Sequence, residues 1–192
     1  MSDAMDLLAG ADARLLGLVD RLDPASLTAS SPCAEWDVRA LLSHTLQTME
    51  MFSATLDGGP APTEAELFGG GDNLGGDHRA TARRIVERSH AAWSTVSDWN
   101  TPVTIVLGTV PAAQAIAIIT YSNLIHSWDL AVAMAIGEKV EFSEAEAQLA
   151  EAVGSQLVPM MRPKGRFGPE VPAAPDATPT QRVVAFSGRT PL

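Results

Sequence analysis

Four histidines are the most versatile side chains in this 192-residue chain, and two of them sit in unusually apolar company. His44 lies in Leu41-Leu42-Ser43-His44-Thr45-Leu46, and His126 in Asn123-Leu124-Ile125-His126-Ser127-Trp128. An imidazole on an apolar helix must satisfy two ring nitrogens away from bulk water. One neutral nitrogen can hold a metal while the other donates to a neighbouring acceptor. Around His126 the polarity extends along one face, because Ser122, His126 and Asp129 stand at i, i+4 and i+7. Burying such a stripe unpaired is costly. A metal, a small ligand, a structural hydrogen-bond network or water would each satisfy it. By residue type alone, a hydrogen-bonded structural histidine is the commoner outcome.

The remaining candidates read as less chemical. His78 and His90 lie on a helix rich in arginine and are expected to face solvent. Cys33, with no His or Cys at metal-pair spacing, reads as an inert small residue near a helix start. Asp37 is placed to cap that helix, and Trp36 and Trp128 are expected in the core. Gly69-Gly70-Gly71 is followed by no Lys-Ser/Thr pair, which excludes a phosphate loop. No G-x-S-x-G or C-x-x-C occurs. Arg189 is expected to tie down the tail through a salt bridge.

Helical spacing of apolar residues supplies the elements that must carry these groups. Leu7, Leu8, Leu15, Leu18, Val19 and Leu22 define a first helix from Asp3, stopped at Asp23-Pro24. Ser26 to Glu35 reads as a loop. A second helix runs from Val38 to about Leu56, and the glycine- and proline-rich stretch that follows is a long connection, the mark of a crossover in a bundle. A third helix spans Asp77 to about Val96. A short extended run lies between Asn100 and Val110, and an apolar fourth helix runs from Ala112 to Ile136 with Gly137 placed to end it. Ser143 and Glu146 form a capping box for a fifth helix that Pro159 or Pro163 should end. Thr178-Pro179-Thr180-Gln181 opens a short last helix closed by Gly188. The fold class is all-α, a four-helix bundle with extra terminal pieces.

Composition narrows the partners. Hydrophobic residues make up 46% and charged residues 19% of the chain, a globular balance. Thirteen basic against 23 acidic residues give a net charge of −10, which repels phosphate backbones and argues against nucleic acid. A single cysteine allows no intrachain disulfide. The opening Met-Ser-Asp-Ala-Met-Asp has no basic n-region, and the most apolar stretch, Ala112 to Ile119, is too short to span a bilayer. A cytoplasmic protein without a membrane partner is the expectation.

Several segments together resemble a known family. Ser31-Pro32-Cys33-Ala34-Glu35-Trp36-Asp37-Val38-Arg39-Ala40-Leu41-Leu42-Ser43-His44 resembles the opening of the actinobacterial DinB-like proteins related to the mycothiol-dependent maleylpyruvate isomerase N-terminal domain. His126-Ser127-Trp128-Asp129-Leu130-Ala131 looks like the H-x-W-D-L-A segment of that group. Asp176-Ala177-Thr178-Pro179 and Gly188-Arg189-Thr190-Pro191 are similar to its C-terminal pattern. The low lysine usage, Lys139 and Lys164 only, fits a GC-rich actinobacterial source.

The resemblance implies a DinB-like four-helix bundle over residues 1–162, with a long crossover connection and a C-terminal extension, 163–192, packed on it. It implies a divalent metal, zinc or nickel, with His44 and His126 matching the family's ligands. Where the family usually has a carboxylate four residues before the later histidine, this chain has Ser122. A serine hydroxyl is a poor zinc ligand. Three outcomes stand open: Asp129 or Asn123 turns in as a substitute, the ion is held weakly with extra waters, or the metal is lost and a polar pocket kept. His44, His126 and Asp129 form the candidate set. As an enzyme the chain would use a small thiol, mycothiol, for isomerisation or thiol transfer on a small-molecule substrate. The related isomerase has a second domain that residues 163–192 are too few to replace fully, so maleylpyruvate is not the expected substrate. The alternative is a non-catalytic small-ligand-binding or regulatory bundle with a degenerate metal site; a homodimer without ligand is a third.

Overall fold

The computed structural model of the protein describes residues 2–33, 36–135 and 140–192. Helix α1 (Ser2–Arg21) buries Leu8, Ala11, Leu15, Leu18 and Val19, the stripe its spacing dictates. Asp23 then accepts from the Ala25 backbone N–H and starts a 3-10 turn, Pro24–Thr28, inside the stretch read as loop. Asp37 caps α2 (Val38–Asp57) by accepting from the Ala40 N–H at 2.8 Å, as its position before Val38 predicts. Gly58, at φ +69°, ends α2 in the left-handed conformation that glycine adopts without strain.

The long connection is not featureless. Thr63 and Glu66 form a reciprocal capping box that supports a short helix, α3 (Glu64–Phe68). Helix α4 (His78–Ser94) follows, capped by Asp77. The extended run after it becomes a hairpin, β1 (Pro102–Ile105) and β2 (Gly108–Pro111), with Val103 opposite Val110. It leads into α5 (Ala112–Met134), which buries residues on most sides and closes at Ala135. The expected stop at Ile136 and Gly137 lies outside the described residues.

Helix α1 packs on α4 and α5, and α2 packs on the same two, so the four close into a bundle. Its interior is filled by Leu15, Leu41, Leu46, Phe52, Ile85, Trp93, Ile116 and Leu124 among others. The all-α class is therefore observed, with the hairpin as its only sheet among the described residues.

The chain divides into two compact units, Met1–Gly137 and Glu138–Leu192. The second holds α6 (Glu144–Met161), opened by the Ser143–Glu146 capping box, and α7 (Pro179–Phe186), opened by Thr178 and Gln181. Helix α6 continues past Pro159, which sits in its last turn, and ends before Pro163. Residues 163–192 thus group with α6 in this unit. Arg162 braces its end by donating to the Gly168 and Phe186 carbonyls at 2.8 and 2.6 Å. Arg189 donates to the Ser187 carbonyl at 3.1 Å and lies over the Phe167 ring. Gly188, at φ +86°, passes so near Gly168 that a Cβ would stand 2.7 Å from the Gly168 carbonyl oxygen. Gly188→Ala is therefore expected to lower stability by about 2 kcal/mol through backbone strain and overlap, read as a lower denaturation midpoint.

Candidate metal centre

The site grows from two neighbouring helices and two loops. On α2, His44 is buried, and its Nδ1 lies 2.6 Å from the carbonyl oxygen of Leu67. Leu67 occupies the last turn of α3, where carbonyls have no partner within their own helix. The unpredicted short helix thus supplies the acceptor. Because a carbonyl only accepts, Nδ1 donates this bond, which leaves Nε2 as the nitrogen that could face a metal. Metal-ligating histidines commonly donate from their second ring nitrogen in this way. Trp36 covers the ring at 4.5 Å between centroids, and Phe68 flanks it at 6.0 Å. Trp36, expected in the core, is half-buried and forms a wall of the site.

On α5, the His126 ring stands 5.1 Å from the His44 ring, perpendicular to it. The two imidazoles, 82 positions apart in the sequence, therefore share one space. His126 Nδ1 lies 3.0 Å from Asp129 Oδ2, and Asp129 is fully buried. The second and third members of the polar stripe thus meet across one turn. Asn123 goes elsewhere: its amide donates to Asp12 on α1 at 2.6 Å, so it is not the substitute ligand.

Cys33 enters from the loop before α2. Ser31 Oγ accepts from the Cys33 N–H at 3.1 Å and donates to the Trp36 carbonyl at 2.7 Å, which folds this loop into a fixed turn. The turn sets Cys33 Sγ 3.4 Å from Asp129 Oδ2, with the thiol donating. Donor atoms of Cys33, His126 and Asp129 all lie within 4.8 Å of one another. Cys33, which the sequence reads as an inert residue with no metal-pair partner, thus stands beside His126 and Asp129. The signal was a loop residue whose place depends on Ser31, and sequence spacing carries no trace of it.

Two other expectations fail. His78 is 6% exposed, because it shares the inward stripe of α4 with Ala82, Ile85 and Ser89, at i+4, i+7 and i+11. His90 does not simply face solvent either: its Nε2 lies 2.8 Å from Oδ2 of the fully buried Asp12. Burial pushes the Asp12 carboxyl up, while donors from His90 and Asn123 pull it back. The hydrogen bond and charge of Asp12 hold His90 above its ordinary range. This group ties α1, α4 and α5 together.

Imidazole nitrogen, carboxylate oxygen and thiol sulfur are the donors tetrahedral zinc prefers, and their burial and fixed hydrogen bonds orient them. The residues present thus fit a divalent ion, although Ser122 brings no carboxylate.

The family model described as the mycothiol maleylpyruvate isomerase N-terminal domain matches residues 8–131. Two relatives are uncharacterized proteins from two strains of Mycobacterium tuberculosis; each is 28% identical over 165 residues, covering 85% of this chain and 85% of the relative. Among solved structures, the mycothiol-dependent maleylpyruvate isomerase superposes with a TM-score of 0.63 at 19% identity, covering 82% of this chain and 70% of that one. A histidine-to-alanine mutant of that isomerase gives 0.64 with the same identity and coverage. At this identity the likeness concerns the fold.

Proposed function

Because the chain belongs to the mycothiol maleylpyruvate isomerase N-terminal domain family, we propose that it binds a divalent metal, zinc or nickel, and acts with mycothiol as a thiol-dependent isomerase or thiol transferase. The observation that carries this reading is the convergence of His44 and His126 at 5.1 Å beside the buried carboxylate of Asp129. These three side chains would hold the ion. When bound, it would lower the pKa of a cofactor thiol and so favour the nucleophilic thiolate at neutral pH.

The protein's own residues do the positioning. The Leu67 carbonyl fixes which His44 nitrogen faces the site. Asp129, one turn along α5, lies 3.0 Å from His126 Nδ1 and keeps the two donors side by side. Trp36 and Phe68 shield the His44 ring from water on the side they cover, which strengthens every charge interaction there. Small-molecule thiol and substrate are the partners, and the cytoplasm, where such thiols are kept reduced, is the compartment this reading assigns. No helix among the described residues is long and apolar enough to cross a membrane.

The test is metal analysis of protein purified without a nickel column, followed by calorimetric titration with mycothiol. About one ion per chain, and thiol binding that depends on it, are expected. An ion-free protein that stays so in added zinc would favour the non-catalytic ligand-binding bundle instead. Ser122, half-buried one turn before His126, gives a second test. Ser122→Glu adds a carboxylate to the stripe and is expected to tighten zinc binding by about tenfold, in line with one more charged donor. Unchanged affinity in a zinc titration would place position 122 outside the coordination sphere.

A further inference from the structure

We propose that Cys33 is a fourth, displaceable ligand, so that the protein's own thiolate occupies the position an incoming small thiol must take. The inference rests on the metal-binding reading above and goes beyond it by naming what controls thiol entry. Its basis is the arrangement of the donors. The Asp129 oxygen lies 3.4 Å from Cys33 Sγ and 3.0 Å from His126 Nδ1. With ordinary zinc bond lengths, the edges of a tetrahedral site are about 3.5 Å for sulfur to oxygen and about 3.3 Å for nitrogen to oxygen. These two observed separations are close to those edges, and all three donors lie within 4.8 Å of one another.

Two further features single out the sulfur. Asp129 is fully buried and accepts from both the thiol and the imidazole, an alignment that a divalent ion would replace donor for donor. Ser31 holds the backbone of Cys33 outside α2 and α5, so this donor belongs to neither helix that carries the histidines. Cys33, His126 and Asp129 already cluster, and with His44, whose ring stands 5.1 Å from that of His126, they would make four protein ligands. Four protein ligands close a zinc site, whereas catalytic sites keep one position open. A small thiol would therefore enter by exchange at the position Cys33 holds: its sulfur would replace the Cys33 sulfur, and its proton would pass to the Cys33 thiolate. One thiol is lost and one gained, with no change of oxidation state. Like replaces like, which makes this the least costly ligand to give up.

Cobalt(II) reports the sulfur directly, because a thiolate ligand adds an intense near-ultraviolet charge-transfer band. Wild-type protein and Cys33→Ser, freed of reductant, are titrated with cobalt and followed by absorbance and calorimetry. The wild type is expected to show the band without added thiol, and the variant to lack it. Cobalt affinity should fall at least tenfold in the variant, since even residues behind the ligands shift affinity by roughly 10- to 100-fold. Adding N-acetylcysteine should restore the band in the variant, at lower thiol concentration than is needed to perturb the wild-type spectrum. Cobalt binding without the band in the wild type would overturn the role of Cys33 while leaving the metal reading intact. Absence of cobalt binding in both proteins would overturn both.

Discussion

His126→Ala is expected to abolish stoichiometric zinc binding, with wild-type protein retaining about one ion per chain under the same dialysis. The loss follows from the position of the ring. It faces His44 at 5.1 Å and is held by Asp129 at 3.0 Å, so its removal deletes one donor and releases the orientation of another. If the site were a surface-open pocket, the cost in stability would be small. The structure raises that figure. Asp129 is fully buried, and without His126 it loses a partner that water does not readily replace. A cost of about 1–3 kcal/mol is expected, the usual penalty for a buried polar group deprived of one hydrogen bond. Elemental analysis and a denaturant titration read the two effects separately. Retained metal in the variant would show that the ligand set is wrong.

The largest effect on folding is expected away from the metal centre, at Asp12. Its two carboxylate oxygens accept from His90 on α4 and Asn123 on α5, and the residue itself is on α1. Asp12→Ala strands the Asn123 amide in the bundle interior and removes the charge facing His90. His90 is 39% exposed and can turn to water, so most of the penalty falls on Asn123 and on the space vacated. A loss of about 2–3 kcal/mol is expected, or about 4–12 °C in Tm for a domain of this size.

The same pair predicts a pH dependence. Asp12 holds the folded-state pKa of His90 above its ordinary value, so folding favours the protonated imidazole. The stabilisation is fully present below about pH 6.5, the ordinary histidine value, and is lost as pH rises through the raised folded value. Denaturant midpoints should accordingly fall across that window in the wild type. Asp12→Ala should flatten this part of the profile. A wild-type profile that rises there would contradict the pairing.

What the sequence reveals depends on how far apart the cooperating residues lie. Helices α1, α2, α4 and α5 follow from apolar spacing and from the caps Asp37 and Asp77, because those signals act within a few residues. The histidines of α2 and α5 stand out because an apolar run around an imidazole is itself unusual. The Asp12–His90 pair does not stand out, since 78 positions separate the partners and each has an ordinary reading on its own helix. The arginines of α4 mark its outer face, while the spacing from His78 to Ala82 and Ile85 puts His78 on the inner one. Glycines surround helix α3 and mask it, although its Thr63–Glu66 capping box is written in the sequence. Cys33 leaves no sequence signal for a different reason: a turn built by Ser31, and not any spacing, carries it to Asp129.

Anomalous diffraction at the zinc edge, on crystals grown with equimolar zinc, tests the central claim most directly. The account predicts one strong peak between the rings of His44 and His126, in contact with Asp129. A map with no peak there, while zinc is present in the crystal, would contradict it.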